Sequence, residues 1–312
     1  MNIQQLEYVI AVDTFRHFAK AAEVCCVTQP TLSMMIQKLE DELGVKIFDR
    51  TKHPVAPTTI GEQIIAQARV SLKYFRQIKE VAESEQGTAK GSFKLGVIPT
   101  IASYLVPTLL HRQHTGYSNV ELTLKESTTG NLITEILNGT LDGGVLAGPL
   151  NHPGLSEFPV YYEKFYAYVS PHDEAYREKE IDLDSIDINS LWLLENEHCL
   201  RGQIERLCKM KRSAIGSSSI KYESGSIDTL IHVVDYNPGV TIIPEMHAMG
   251  LSEERQENLR TFKNLTAVRE VSLVVGADYV RKTLLNIILE IIKSSVPKSM
   301  QDPQLKAFVV NL

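Results

Sequence analysis

The sequence predicts an α/β protein in three successive parts: a small helical head, one long amphipathic helix, and a larger region of alternating strands and helices. Three observations carry that prediction. Apolar residues recur at three- and four-residue intervals through most of the first ninety positions, a cationic and proline-bearing stretch from Arg50 to Pro57 interrupts them, and from Ser92 onward short β-type runs alternate with helical ones. With 312 residues, 43% apolar and 22% charged, the chain has material for two or three cores.

In the head, Ile3, Leu6, Val9 and Ile10 open a helix, and Phe18, Ala19, Ala21 and Ala22 a second, whose small residues let another helix approach closely. Cys25-Cys26-Val27 is a tight break. Thr28 then suits an N-cap, Pro30 is tolerated in the first turn, Leu32, Ile36, Leu39 and Leu43 form a stripe, and Gly44 ends the helix. Two helices joined by so short a turn form a helix-turn-helix, whose second helix enters a DNA major groove. Thr28, Gln29, Pro30, Thr31, Ser33, Met34, Gln37 and Lys38 are the candidate contacts on or beside its outward side, since short hydroxyl and amide side chains at a helix N-terminus suit phosphates and base edges. On spacing alone, a solvated helix face fits the same pattern.

Val45, Ile47 and Phe48 read as a short strand, Arg50 to Pro54 as a cationic loop carrying Lys52, and Val55 to Pro57 as a returning edge strand. That is a wing, placed to grip flanking backbone or minor groove, with Arg50 and Lys52 as its cations. Thr59 and Glu62 have capping-box spacing, and Ile64, Ala68, Leu72, Phe75, Ile78 and Ala82 continue a helix for about six turns. So long a helix between domains, with an apolar stripe, is expected to pair with a copy of itself; packing on its own chain is the other option. Gln86 to Gly91 reads as a linker.

Residues 1–90 resemble the winged helix-turn-helix and linker helix of LysR-type transcriptional regulators. The resemblance rests on "FAKAAEVCCVTQPTLSMMIQKLEDELGVKIFDR" followed by "PTTIGE". Met34 and Met35 depart from it, standing where the family usually has polar or small residues, so the groove contact there is expected to be apolar, for example with thymine methyls.

Beyond Ser92, the strand Phe93–Val97, a helix from Ala102 to His114, the strand Val120–Lys125, a helix around Gly130 to Asn138 and the strand Gly144–Ala147 predict a parallel βαβαβ unit. A second unit of the same kind is expected over 165–265, with the strand Tyr166–Ser170, helices near Leu200–Lys209 and Ile227–Val234, and the strand Val240–Ile243. The strand Val271–Val275 and the helix Tyr279–Ile292 suit the first sheet. Two such lobes resemble the periplasmic-binding-protein-like effector domain of the same family. The expected division is a head at 1–58, a linker helix and hinge at 59–90, and a regulatory domain at 91–312, with lobe I at about 91–164 and 269–312 and lobe II at about 165–268. Strand carboxyl ends hold ligands in such sheets, pointing to Pro99-Thr100 and Ser127 to Thr129.

Cys199 and Cys208 stand nine positions apart. If the residues between them are helical, the thiols lie on opposite faces, roughly 13 Å apart along the axis. A disulfide needs Cα atoms within about 7 Å, so bonding this pair requires the helix to unwind or move. A thiol at a helix N-terminus beside His198 and Arg201 is also expected to ionise readily. Two inert cysteines remain compatible with the spacing alone. "LEN-E-HCLR" with a cysteine nine positions on, together with "GVIPT" and "DELGV", resembles the peroxide-sensing members of the family over nearly the whole chain. The resemblance implies that Cys199 is the peroxidatic cysteine, Cys208 its resolving partner, and Thr100, Thr129, His198 and Arg201 the shapers of a peroxide pocket. Segments 150–165 and beyond Val296 match less closely.

The net charge of −6 sits wholly behind residue 90, since residues 1–90 hold 11 Lys/Arg and 11 Asp/Glu. A neutral head binds DNA only if its cations share one face. The first fifteen residues lack a signal-peptide pattern and no apolar run approaches the roughly 20 residues of a membrane span, so a cytoplasmic protein without membrane contact is expected. Four cysteines in that compartment are not a structural framework. Cys25 and Cys26 read as small buried or half-buried residues, and His111 with His114 lacks a third metal ligand.

The expected partners are double-stranded operator DNA, hydrogen peroxide, further copies in a homodimer or homotetramer, and RNA polymerase, with no cofactor and no metal. A regulator sensing a small organic effector in the interlobe cleft is the competing expectation. A turning-over thiol peroxidase leaves the head without a purpose.

Overall fold

A computed structural model describes residues 1–84, 91–116, 120–187, 190–208 and 222–310. The chain divides into two compact units, residues 1–88 with 137–140 and residues 89–136 with 141–312. Of the predicted linker Gln86 to Gly91, residues 86–90 lie outside the described residues and Gly91 begins a strand.

In the first unit, α1 (Ile3–Phe15) begins at a capping box between Asn2 and Gln5 and stops where Arg16 turns to φ 51°. Its buried stripe is Gln5, Tyr8, Val9 and Val12, whereas Ile3, placed on the stripe by the sequence reading, is 37% exposed. Gln5 tolerates burial because its amide donates to the Met35 carbonyl at 3.1 Å. Helix α2 (Phe18–Val24) presents Ala21 and Ala22 inward, and α3 (Gln29–Leu43) starts at Thr28, whose hydroxyl accepts from the Thr31 amide, and ends at Gly44 with φ 71°. Leu32, Ile36 and Leu39 are buried on α3 and pack with Val9, Val12, Ile47 and Phe48 into the head core. Leu43, predicted to complete that stripe, is 40% exposed at the fraying end.

The wing is a two-residue ladder, β1 (Phe48–Asp49) antiparallel to β2 (Ala56–Pro57). Glu40 joins α3 to it. Its buried carboxylate accepts from the Ile47 and Phe48 amides at 2.8 and 3.2 Å and pairs with Arg50 at 3.4 Å. Helix α4 (Thr59–Ser84) is capped by Thr58 rather than by Thr59 as predicted: the Thr58 hydroxyl accepts from the Gly61 amide at 2.9 Å and donates to the Lys46 carbonyl at 2.6 Å. Gly61 is obligatory there, since a Cβ would sit 2.0 Å from the Ile47 carbonyl oxygen. Ala68 and Leu72 of α4 are buried, while Phe75 and Ile78 remain 50% and 69% exposed.

In the second unit β3 (Gly91–Val97) pairs in parallel with β4 (Val120–Glu126) and with β5 (Gly143–Gly148). Helices α5 (Pro99–Gly116) and α6 (Thr129–Leu137) connect them. The 15-residue β6 (Leu155–Val169) changes partners midway. Its first part pairs with β10 (Val268–Gly276), and from Phe165 on it pairs antiparallel with β8 (Val240–Pro244) and β9 (Leu259–Phe262). β10 lies between β5 and β6, antiparallel to both, with all nine residues buried.

Around the second half of β6 stand β7 (Glu180–Ile181), α7 (Cys199–Leu207), α8 (Ile227–Tyr236), α9 (Glu245–Met249) and α10 (Glu253–Gln256), and α11 (Lys282–Ser294) follows β10. The expectation of a second parallel unit is corrected in part. In this lobe β8 and β9 are antiparallel to β6, whereas β7 pairs in parallel with β9, and Leu191 and Leu194 make isolated parallel bridges to Val240 and Ser224.

Candidate functional site

Cys199 is the first residue of α7, following His198, whose side chain makes no capping bond. The helix is held by Leu200 and Ile204, buried in the lobe core. Across the cleft, Thr129 opens α6 just beyond the carboxyl end of β4, and its hydroxyl bonds the Cys199 sulfur. The amides of Cys199 and Leu200 point at the same atom. Burial pushes this thiol above its ordinary pKa; the Arg269 charge, Thr129 and the two amides favour the thiolate without overcoming burial. The site therefore rests as a thiol, contrary to the expected ready ionisation, yet is furnished with the groups that receive its anion.

Arg201 requires the second correction. Its Nε donates to Glu205 at 2.9 Å and its Nη1 to Glu223 at 2.7 Å and to the Leu194 carbonyl at 2.9 Å. Two carboxylates capture this guanidinium, one of them a helical i,i+4 neighbour, so it braces α7 and is not the cation at the thiol. That cation is Arg269, on β10 and fully buried. Its Nε donates to Glu163 at 2.6 Å, its Nη1 to the Thr100 hydroxyl at 3.1 Å and its Nη2 to the Thr100 carbonyl at 3.1 Å. The signal for Arg269 was present in the sequence: an arginine beside Glu270 at the start of a largely apolar core strand is retained only with partners.

Cys208 caps the far end of α7, half-buried against the lobe core, and burial, with a smaller contribution from Asp184, pushes its thiol up to about 11. All four cysteines are free. Eight residues of helix separate Cys199 from Cys208, and the nine steps between them rise about 13 Å along the axis. Between them, Gln203 is fully buried with neither amide atom hydrogen-bonded. Buried polar groups left so cost about 1–3 kcal/mol, so α7 is packed with a built-in penalty.

A cleft cavity of about 70 Å³ shares Thr100 with this site and is lined further by Ser103, Glu126, Ser226, Asp228 and His247. His247 lies edge-on to Tyr104, with ring centroids 4.8 Å apart and its Nε2 3.2 Å from Asp228. Burial holds its pKa down at about 4; Asp228 opposes that shift and the Arg269 charge adds to it. Sequence reading missed it.

On the head, Thr28, Gln29, Pro30, Thr31, Gln37, Lys38, Arg50 and Lys52 are exposed, Ser33 is half-buried and Met34 is 62% exposed. Gln29, Ser33 and Arg50 line one groove of about 520 Å³ together with Arg16, Lys20 and His53. Arg50 is braced by Ser33 at 3.0 Å and lies over the Phe18 ring at 5.1 Å. Cys25 is half-buried, while Cys26 is exposed at φ 55°, contrary to the expected burial. Among the described residues no three potential ligands gather for a metal, and no helix is long and apolar enough to cross a membrane.

Comparison with known proteins bears on both regions. Residues 3–62 match the bacterial regulatory helix-turn-helix protein, lysR family, and residues 86–296 the LysR substrate binding domain. The DNA-binding transcriptional dual regulator OxyR of Escherichia coli is 34% identical over 259 residues, 83% of each chain. A full-length OxyR variant from Pseudomonas aeruginosa superposes with a TM-score of 0.77 at 30% identity, over 94% of this chain and 98% of that one. A hydrogen-peroxide-bound OxyR mutant from Corynebacterium glutamicum gives 0.62 at 25% identity, over 98% and 95%.

Proposed function

Because this chain belongs to the LysR family of bacterial transcription regulators, we propose that it is a cytoplasmic DNA-binding regulator switched by hydrogen peroxide through a reversible Cys199–Cys208 disulfide. The observation that carries the reading is a pair of free thiols at opposite ends of one helix, the first ringed by an arginine, a threonine hydroxyl and two amides. The Cys199 thiolate attacks one peroxide oxygen, an S–O bond forms as the O–O bond breaks, and the leaving hydroxide takes a proton and departs as water. Arg269 and Thr129 stabilise the charge as it moves from sulfur to oxygen, with Thr100 holding Arg269 and His198 flanking the thiol. The Cys208 thiolate then displaces hydroxide from the sulfenic acid, releasing a second water and leaving the disulfide.

Joining the sulfurs brings Cα atoms now separated by about 13 Å along the helix axis to within about 7 Å of each other, so α7 must unwind or leave its seat. In the head, 1–58, the α3 face and the wing cations Arg50 and Lys52 bind duplex DNA. The linker helix at 59–90 pairs with a second copy through its exposed Phe75 and Ile78, and the regulatory domain at 91–312 alters the spacing of the heads in a homodimer or homotetramer that engages RNA polymerase. The cleft cavity of about 70 Å³ is small beside the roughly 300–1,000 Å³ of organic-ligand sites, which supports peroxide over a metabolite as the signal.

The test is a promoter footprint before and after stoichiometric peroxide. The wild-type footprint is expected to change and that of Cys199→Ser to stay fixed; a Cys199→Ser protein that still responds to peroxide refutes the reading.

A further inference from the structure

We propose that Glu163 is the positioning residue of the thiol site, fixing the Arg269 guanidinium in the orientation from which it meets Cys199. The inference rests on the reading of Cys199 as a peroxide-reactive thiol. Glu163 and Arg269 are direct cross-strand partners in the β6–β10 ladder, both fully buried, so the backbone of two central strands sets the separation of their side chains. The Glu163 Oε1 takes the Arg269 Nε–H at 2.6 Å, and its Oε2 accepts the Met246 amide at 3.1 Å, which pins the carboxylate itself to α9.

An arginine fork fixed on its Nε edge by a carboxylate cannot rotate about its long stem. With Thr100 taking one hydrogen bond from each Nη, three of the five guanidinium N–H groups are committed and the remaining two are presented in one plane. Among the described residues, the groups facing Arg269 are Glu163, Thr100, Cys199, the phenol of Tyr161 and the imidazole of His247. Of these, and among the described residues as a whole, only Glu163 carries a compensating negative charge within hydrogen-bond distance of the guanidinium. Without it the cation has reason to swing toward the cleft carboxylates Glu126 and Asp228, away from the sulfur.

The closing experiment uses the full-length reduced protein as wild type, Glu163→Gln, Arg269→Gln and the double variant, each checked for folding by circular dichroism. Two rates are read at Cys199, oxidation by hydrogen peroxide and alkylation by iodoacetamide. Alkylation needs the thiolate but no aligned donor. Glu163→Gln is expected to slow peroxide oxidation roughly ten- to hundredfold and alkylation by clearly less, since alkylation loses only the support that Arg269 gives the thiolate, and the double variant is expected to be no slower than Arg269→Gln alone.

Wild-type oxidation by Glu163→Gln, equal losses in the two reactions, or losses that add in the double variant each overturn the proposal. Should Glu163→Gln not fold, Glu163→Asp, which keeps the charge but withdraws it by one methylene, is read by the same criteria. A wild-type Cys199 that reacts with peroxide no faster than free cysteine sinks the sensing reading itself, a result distinct from any outcome at Glu163.

Discussion

The two ends of α7 carry the same functional group in opposite surroundings. At the N-terminal end, Cys199 meets Arg269, Thr129 and two backbone amides; at the C-terminal end, Cys208 packs on an apolar core, and burial, with a smaller contribution from the negative charge of Asp184, pushes its thiol up to about 11. Burial raises both, but among the described residues only the first has groups waiting for a negative charge. The contrast supports the proposed order, in which Cys199 reacts first and Cys208 becomes a nucleophile once α7 opens and water reaches it.

The strongest way to break this contrast is to remove what distinguishes the Cys199 end. Arg269→Gln is expected to slow oxidation of Cys199 by roughly 10²–10³ and, by leaving Glu163 buried and unpaired, to lower stability by about 3–5 kcal/mol. Stopped-flow oxidation and urea denaturation measure the two effects. A small effect on oxidation would mean that the amides alone differentiate the two ends.

The titration of Cys199 sharpens the same point. Its pKa is raised above the ordinary value, so the thiolate fraction, and with it the oxidation rate, is expected to rise about tenfold per pH unit through neutrality and to level off only above the raised pKa. A plateau already reached at pH 6 in a rate profile would show that the charged partners outweigh burial.

Two further variants act on the helix between the thiols. Gln203→Met removes the unpaired buried amide, stabilises the reduced packing by about 1–2 kcal/mol, and is expected to slow disulfide closure about five- to thirtyfold while leaving sulfenic acid formation at its wild-type rate. Gly202 has open space where a Cβ would stand. Gly202→Ala is therefore expected to add about 0.5–1 kcal/mol of helix stability and to slow closure by about two- to fivefold. Quenched-flow mass spectrometry separates the two chemical steps. Closure unaffected by either substitution would mean that α7 need not open.

What was legible in the sequence was what depends on spacing. The Leu32, Ile36 and Leu39 stripe, the Thr28 cap, Gly44 and the placement of a cysteine at each end of α7 all follow from periodicities that the chain carries locally. What was hidden depends on partners distant in sequence. Arg201 looked like the site's cation because it is two residues from Cys199, but Glu205 and Glu223 take it, while Arg269 arrives from a strand 70 positions on.

The first half of β6 went unread because Pro159 and the charged Glu163 and Lys164 mimic a loop. In the sheet, Pro159 sits at a register shift, where its missing amide is not needed, and Glu163 is neutralised across the ladder. Thr58 and Thr59 are adjacent hydroxyls, and the choice between them falls to Thr58 because it also reaches the Lys46 carbonyl.

The central claim is that the two sulfurs cannot join while α7 stands. Amide hydrogen exchange across residues 200–207, compared between the reduced and the disulfide forms of the intact protein, reads it directly. The account predicts that protection of these amides collapses when the bond forms, with β3 and β10 unchanged; equal protection in the two forms would contradict it.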